Sequence, residues 1–278
     1  MAREQLVAIL REDVGSGDIT SRVTVPEDAQ AVARFTTKQP LVVAGIAAVE
    51  EICKLADASL IHDLVARDGD TVAAGAILAE VRGSARSILT IERATLNLLQ
   101  RMCGIATLTQ EFVERVAGTR ARIVDTRKTA PGLRVFDKYA VSCGGGLNHR
   151  VGLFDGVLIK NNHQAFHASI GDAVREARRH VGHLVKIEVE VHRLEGLEEA
   201  IEAGADLALL DNFTPSLTRE AVALTRGRVP LESSGGMTLG TVREFAEAGV
   251  DYISVGALTH SAFARDIHLR VTSASRRP

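Results

Sequence analysis

The period of the apolar positions changes several times along this chain, and each change marks an element. Leu6–Arg11 repeats at helical spacing and predicts a short amphipathic helix, followed by the glycine-and-acid turn EDVGSGDITS. From Ala31 to Val81 the pattern alternates, in AVARFTTK, LVVAG and DLVARDGDTVAAGAILAEVRG. Alternation broken by Gly69 and Gly75 predicts short strands joined by glycine turns. Within this stretch Ala47–Ala56 predicts a helix laid on the small sheet. From Ser87 to Ala117 the step becomes three and four, through Ile91, Leu98, Leu99, Met102, Ile105, Leu108, Phe112 and Val116. That is a helical face. Gly104 falls inside it and is expected to bend it into two helices, which sets the domain boundary there.

After Arg120 strand and helix alternate. Candidate strands end near Asp125, Lys160, Glu190, Asp211, Ser234 and Gly256, at intervals of 21 to 35 residues. Each interval suits one β/α unit. Helices are predicted over Ser169–Val181, Arg193–Ala203, Pro215–Arg226 and Leu239–Ala248. EAGADLALLDN and EAGVDYISVGAL repeat one phrase: helix end, glycine cap, acid, buried strand. Six parallel strands with short crossovers form a barrel or an open doubly wound sheet. A polar residue at the carboxyl end of each strand favours the α/β barrel, whose site gathers at that end. The tail DIHLRVTSAS is expected to return to the first domain, with its end loosely docked.

Composition narrows the class further. Hydrophobic residues make up 46 % and charged residues 24 %, aromatics only 4 %, and tryptophan is absent, a small-aliphatic bias that suits alternating parallel strands and helices. The formal net charge of −2 gives no electrostatic case for nucleic acid or an anionic membrane. Cys53, Cys103 and Cys143 lack zinc spacing and form no disulfide framework. No signal peptide or membrane span is read, so a cytoplasmic protein is expected.

Against that near-neutral background the stretch Asp125–His163 stands out. Arg127–Lys128, His149–Arg150 and Lys160 each sit beside a strand end or glycine turn. Surface salt bridges would account for one such cluster; three within forty residues point to an anion. ESSGGM (Glu232–Met237) and SVGALTHS (Ser254–Ser261) follow the last two strands, where barrels bind phosphate through backbone N–H groups. Glu188 and Glu190 share one face of IEVEV by period two, and Asp211 ends an apolar strand. Such acids need partners, either Lys160 or a divalent ion bridged to phosphate. A structural Lys–Glu pair remains open for Glu188. Lys160 as a Schiff-base lysine is disfavoured by the charges crowding it. Cys143 has no base assigned, and His163 with His167 lacks a third ligand.

With these residues in place, the chain resembles the quinolinate phosphoribosyltransferases. The resemblance runs nearly end to end: EDVGSGDIT, VVAGI, IERATLNLLQRMCGIAT, DTRKTAPGLR, DKYAVSCGGGLNHRVGLFDGVLIKNNH, IEVEV, ALLDN, ESSGGM and SVGALTHSA. It implies an N-terminal α/β sandwich over 1–104 and an incomplete, TIM-like α/β barrel over 105–265, with 266–278 returning to the first domain. It also implies a homodimer or higher oligomer, Mg²⁺ as cofactor, and quinolinate and 5-phosphoribosyl-1-pyrophosphate as substrates in NAD biosynthesis. Carried across by motif, Arg127, Arg150 and His149 would grip the dicarboxylate, with Lys160 nearby and Arg93 reaching in from the partner subunit. Lys128 and Lys160 would meet the pyrophosphoryl donor. Glu190 and Asp211 would serve the ribose or the metal, and Ser234, Gly235, Gly236, Gly256 and Ala257 the 5′-phosphate. Two departures are mild: DKYAV for the commoner EKYAV, and HSAFARD where HSAPALD is expected. The rival readings are the molybdate-operon paralogue of uncertain substrate and a non-catalytic nucleotide sensor. The intact cation pattern disfavours the first and the absence of any lost charge the second.

Overall fold

A computed structural model describes residues 2–276. In chain order its elements are α1 (Ala2–Val14), α2 (Ile19–Thr24), β1 (Ala29–Thr37), β2 (Leu41–Val42), α3 (Ile46–Ala56), β3 (Ile61–Leu64), β4 (Thr71–Val72), β5 (Ile77–Ser84), α4 (Ala85–Arg115), β6 (Arg122–Val124), α5 (Arg134–Cys143) and β7 (Val157–Ile159). They continue as α6 (Asn161–Gln164), α7 (Ile170–His180), β8 (Ile187–Val191), α8 (Leu194–Glu202), β9 (Leu207–Asp211), α9 (Pro215–Thr225), β10 (Leu231–Ser234), α10 (Val242–Glu247), β11 (Tyr252–Ser254), α11 (Ala257–His260) and β12 (Ile267–Arg276). Two compact units result. The first holds 2–110, 130–145 and 262–276, and the second 111–129 and 146–261.

The first unit is built on an antiparallel sheet of order β12-β1-β5-β3. Along β1 burial alternates strictly, with Ala31, Ala33, Phe35 and Thr37 on the covered face. This is the period-two signal of a sheet with one buried side. Helix α3 packs on β3 and β5. The tail pairs with β1 as β12 along its full length; residues 277 and 278, the end of the expected tail, lie outside the described residues.

One expectation fails here. Gly104 does not bend the helix, because α4 runs unbroken from Ala85 to Arg115. Its missing side chain serves a close approach instead. A Cβ at Gly104 would sit 2.3 Å from the Phe263 carbonyl oxygen, so glycine is the residue that lets this segment cross α4. The predicted apolar face is buried at Ile91, Leu98, Leu99, Met102 and Ile105. Helix α5 is an element that glycine-rich sequence around Cys143 hid. It is anchored by Asp137, wholly buried, which accepts two hydrogen bonds from the Arg101 guanidinium, both at 2.7 Å.

The second unit is the α/β barrel-like body. Six parallel strands follow the order β6-β11-β10-β9-β8-β7, and the two edge strands β6 and β7 are not paired with one another. The barrel is therefore incomplete. The four predicted crossover helices appear within a few residues of their expected bounds as α7, α8, α9 and α10. Strand β8 is buried at all five positions, as a strand covered on both faces must be. All six strands end where a polar or glycine residue was expected, so their carboxyl ends define one rim.

Candidate active site

That rim opens into a cleft of about 730 Å³ lined from every strand of the barrel. The residue after each strand decides what faces it. Past β6 come Thr126, Arg127 and Lys128, with the turn held by the Lys128 amide donating to Thr126 Oγ1 and the Thr259 hydroxyl donating to the Lys128 carbonyl. Buried Asp125 accepts the His149 amide at 2.8 Å and so fixes the loop that presents His149 and Arg150.

Arg127 and Arg150 are incompletely satisfied by the protein. Each has a buried Nε with no hydrogen-bond partner. Arg150 donates once, from Nη1 to the Gly156 carbonyl at 3.1 Å. Burial, and after it the neighbouring Arg127 charge, pulls the Arg150 pKa below its ordinary value. Two guanidiniums that repel one another, each with a buried unpaired N–H, are destabilising unless an anion enters between them.

Past β7 and β8 the charges are matched. Lys160 Nζ lies 2.7 Å from Glu190 Oε2. His163 takes the Lys160 amide on Nδ1 at 2.9 Å, capping α6. His192 stands over both acids of the rim, 3.4 Å from Glu190 and 3.7 Å from Asp211. The donor atoms of Glu190, His192 and Asp211 lie within 4.8 Å of one another. Two hard carboxylates converging on an open cleft fit Mg²⁺ completed by substrate oxygens.

On the far wall, Gly235 has φ of 104° and Gly236 of 58°. A Cβ on Gly235 would fall 2.2 Å from Asn212 Oδ1, so the loop after β10 requires glycine there. Asn212, itself at φ 58°, donates from Nδ2 to Asp211 Oδ2 at 2.8 Å and orients that carboxylate. Ser234, Gly235, Gly236, Gly256 and Ala257 all line the same cleft.

Of the residues to which the resemblance gives a substrate, metal or catalytic role, all but Arg93 line this cleft; Glu188 lies outside its lining. Arg93 is an exposed residue of α4 in the first unit. His149 differs from a simple anion ligand. Its Nδ1 accepts the Arg150 amide at 2.7 Å, so the ring hydrogen is on Nε2, which points at Glu188 Oε2, 2.9 Å away. An imidazole held this way is turned toward the Glu188 carboxylate rather than into the open cleft. The three thiols are inert: burial lifts Cys53 and Cys143 to about 11 and Cys103 to about 12.

Sequence reasoning missed Glu232, His192 and Asn212. Glu232 precedes Ser234 by two, so the period-two rule places it on the same inward face; the reading of ESSGGM stopped at its glycines. His192 likewise continues the face of Glu188 and Glu190.

Comparison with known proteins agrees with this geometry. Residues 18–103 match the family model described as quinolinate phosphoribosyl transferase, N-terminal domain, and residues 105–270 match the C-terminal domain of the same family. A Bacillus subtilis protein named "Probable nicotinate-nucleotide pyrophosphorylase (carboxylating)" is 45 % identical over 261 residues, spanning 94 % of this chain and 90 % of its own. The nicotinate-nucleotide pyrophosphorylase (carboxylating) of Mycobacterium leprae is 42 % identical over 96 % of both chains. The solved nicotinate-nucleotide pyrophosphorylase of Francisella tularensis superposes with a TM-score of 0.91 at 39 % identity, over 97 % of this chain and 95 % of its own. The barrel, the cation-lined rim and these matches over nearly the whole length agree: the chain belongs to the quinolinate phosphoribosyl transferase family.

Proposed function

We propose that this chain transfers the 5-phosphoribosyl group of 5-phosphoribosyl-1-pyrophosphate to quinolinate, giving nicotinate mononucleotide, pyrophosphate and CO2 in NAD biosynthesis. The observation that carries the substrate is the pair Arg127 and Arg150, each with a buried unpartnered Nε facing the cleft. A planar dicarboxylate satisfies both guanidinium forks and fixes the ring between them. His149 orients the Arg150 side of this grip. Arg93 of a second copy completes it, in a homodimer that shares its sites.

The donor lies along the opposite wall. Its 5′-phosphate meets the backbone amides of Gly235, Gly236, Gly256 and Ala257 with the Ser234 hydroxyl. Lys128 and Lys160 neutralise the pyrophosphate. Glu190 and Asp211 would hold Mg²⁺, which supplies charge neutralisation for the departing pyrophosphate. As the C1–O bond opens, positive charge builds on the ribose, and the same two carboxylates stabilise it. The pyridine nitrogen closes the new bond. Loss of CO2 then leaves an electron pair at ring carbon two, beside the pyridinium nitrogen and the guanidiniums, and a proton completes the product. No covalent intermediate with the protein is required.

The proposal places the enzyme in the cytoplasm, where free buried thiols persist; no helix among the described residues is long and apolar enough to cross a membrane. The test is pyrophosphate release with quinolinate and with nicotinate, which has one carboxylate. Turnover with quinolinate and very little with nicotinate is expected. Comparable kcat/KM for the two would refute the two-carboxylate grip.

A further inference from the structure

Glycine apart, two of the described residues hold a left-handed backbone: Arg226 at φ 50° and Asn212 at φ 58°. Arg226 is accounted for by its place in the fold. It closes α9, and its amide donates to the Val222 carbonyl as a helix end requires. Asn212 closes no helix. It stands one residue past β9 and lines the cleft. Asparagine tolerates this region better than most side chains, and a backbone outlier kept at a cleft points to use.

Its contacts show what the angle achieves. Asp211 and Ser234 are register partners at the ends of β9 and β10. The Asn212 amide donates to the Ser234 carbonyl at 3.0 Å and extends that ladder by one rung. On one side of the carboxamide, Nδ2 donates to Asp211 Oδ2 at 2.8 Å. On the other, Oδ1 lies 2.2 Å from where a Cβ on Gly235 would be, so it rests against the bare face of that glycine. The group takes this orientation because its oxygen, turned to Asp211, would face a carboxylate with no hydrogen between them. The two Asp211 oxygens are thereby made unequal. Oδ2 carries the Asn212 bond and is the one His192 Nδ1 approaches, at 3.7 Å. Oδ1 accepts no hydrogen bond from any described residue and keeps its lone pairs open.

We propose that Asn212 is a positioning residue that ties the Asp211 carboxylate to the Ser234–Gly236 loop. One planar carboxamide, wedged between them, then sets the spacing between the ribose end and the 5′-phosphate end of the donor. This rests on the donor assigned above, whose two ends meet those two groups. Asn212 itself needs no contact with the reacting atoms. Without it the carboxylate rotates about its own side-chain bonds, and charge building on the ribose meets a poorly aimed oxygen. That loss falls on the transition state and leaves quinolinate binding alone. Without it the glycine loop also loses the wall that holds its shape around a phosphate.

The test separates the side chain from the backbone angle. Asn212→Gly and Asn212→Asp both accept a left-handed backbone, and neither donates to Asp211. In each, kcat should fall at least about tenfold, as for losing one hydrogen bond to a charged group, with quinolinate KM within about twofold. Thermal midpoints close to wild type would show the fold intact. Wild-type kcat in both variants would mean that only the angle matters, and overturns the inference. The loop end is read by a double-mutant cycle in the Kd of inorganic phosphate, measured by calorimetry. Gly235→Ala is strained at φ 104° in every background, so only the difference between backgrounds counts. It should weaken phosphate at least about fivefold more in wild type than in Asn212→Gly, where the obstructing oxygen is gone. Additive effects refute the tie. If Gly235→Ala fails to fold, Asn212→Gly alone decides: phosphate should bind at least about threefold more weakly, and an unchanged Kd refutes the tie. Wild type that shows the phosphate coupling yet no turnover with quinolinate supports the tie and refutes the proposed substrates instead.

Discussion

Replacing Arg127 with methionine should make the protein more stable and its quinolinate site much worse. Among the described residues Arg127 forms no ion pair, its Nε is buried without a partner, and it repels Arg150. Methionine keeps most of the apolar stem and removes both penalties. A buried unpaired donor costs about 1–3 kcal/mol, so the ligand-free variant should gain roughly 1–2 kcal/mol. That corresponds to about 2–4 °C in Tm for each kcal/mol in a chain of this size. The ligand sees the opposite sign. A guanidinium fork on a carboxylate supplies two charge-assisted hydrogen bonds, and losing them should cost about 3–4 kcal/mol, or roughly 150- to 900-fold in Kd. Thermal unfolding without ligand and calorimetric titration with quinolinate measure the two terms separately. A destabilised variant would mean that Arg127 has a structural partner. A Kd within threefold of wild type would mean that it does not meet the substrate. Either result refutes the argument.

The remaining predictions address separate parts of the molecule. Asp211→Asn should lower kcat far more than it weakens quinolinate binding, and wild-type kcat would show the carboxylate to be structural. Gly104→Ala should cost about 1–3 kcal/mol or more of stability by overpacking α4 against Phe263; urea unfolding at wild-type midpoint would refute that. Because Glu232 keeps its proton in the folded state up to about pH 8 while the unfolded chain loses it near the ordinary value of 4.5, stability should fall as pH rises between those values. Glu232→Gln should flatten that slope in pH-dependent denaturant melts, and an unchanged slope counts against the neutral acid. Arg93→Ala and Lys160→Ala homodimers should each be nearly inactive, while re-formed mixed dimers recover up to about a quarter of native activity per total site, one intact site in half the dimers. Mixed dimers confirmed by tag pull-down that stay inactive would place Arg93 in its own subunit.

How far the sequence reached follows from what each signal encodes. Period two on β1 and the repeated glycine-acid-strand phrase located strands because burial on one or both faces leaves a direct mark in composition. The crossover helices were legible for the same reason. Gly104 misled because a glycine in a helical run marks either a break or a close crossing. Only the Phe263 carbonyl at the Cβ position tells the two apart, and that contact spans more than 150 residues of sequence. Helix α5 was hidden because its anchor, the Arg101–Asp137 pair, joins residues 36 apart in the chain. At the site, charged residues were found where they interrupt apolar strands. The tautomer of His149 was beyond reach, since a single backbone amide at 2.7 Å determines it.

The barrel sorts its charges by depth, and that order explains why a chain of net charge −2 can hold a polyanion. Lys160, about half exposed at the rim, is paired with Glu190 and stays available to solvent. Arg127 and Arg150 are less exposed, and each keeps a buried Nε without a hydrogen-bond partner. Glu232 and Glu188, deeper still, are almost sealed from water. The two guanidiniums above them, with Lys128 beside them, leave positive potential where a dicarboxylate would sit. The cost appears as repulsion between Arg127 and Arg150, which only an anion relieves. Affinity for the dicarboxylate and strain in the empty cleft are therefore one quantity with two signs, and the Arg127→Met variant separates them.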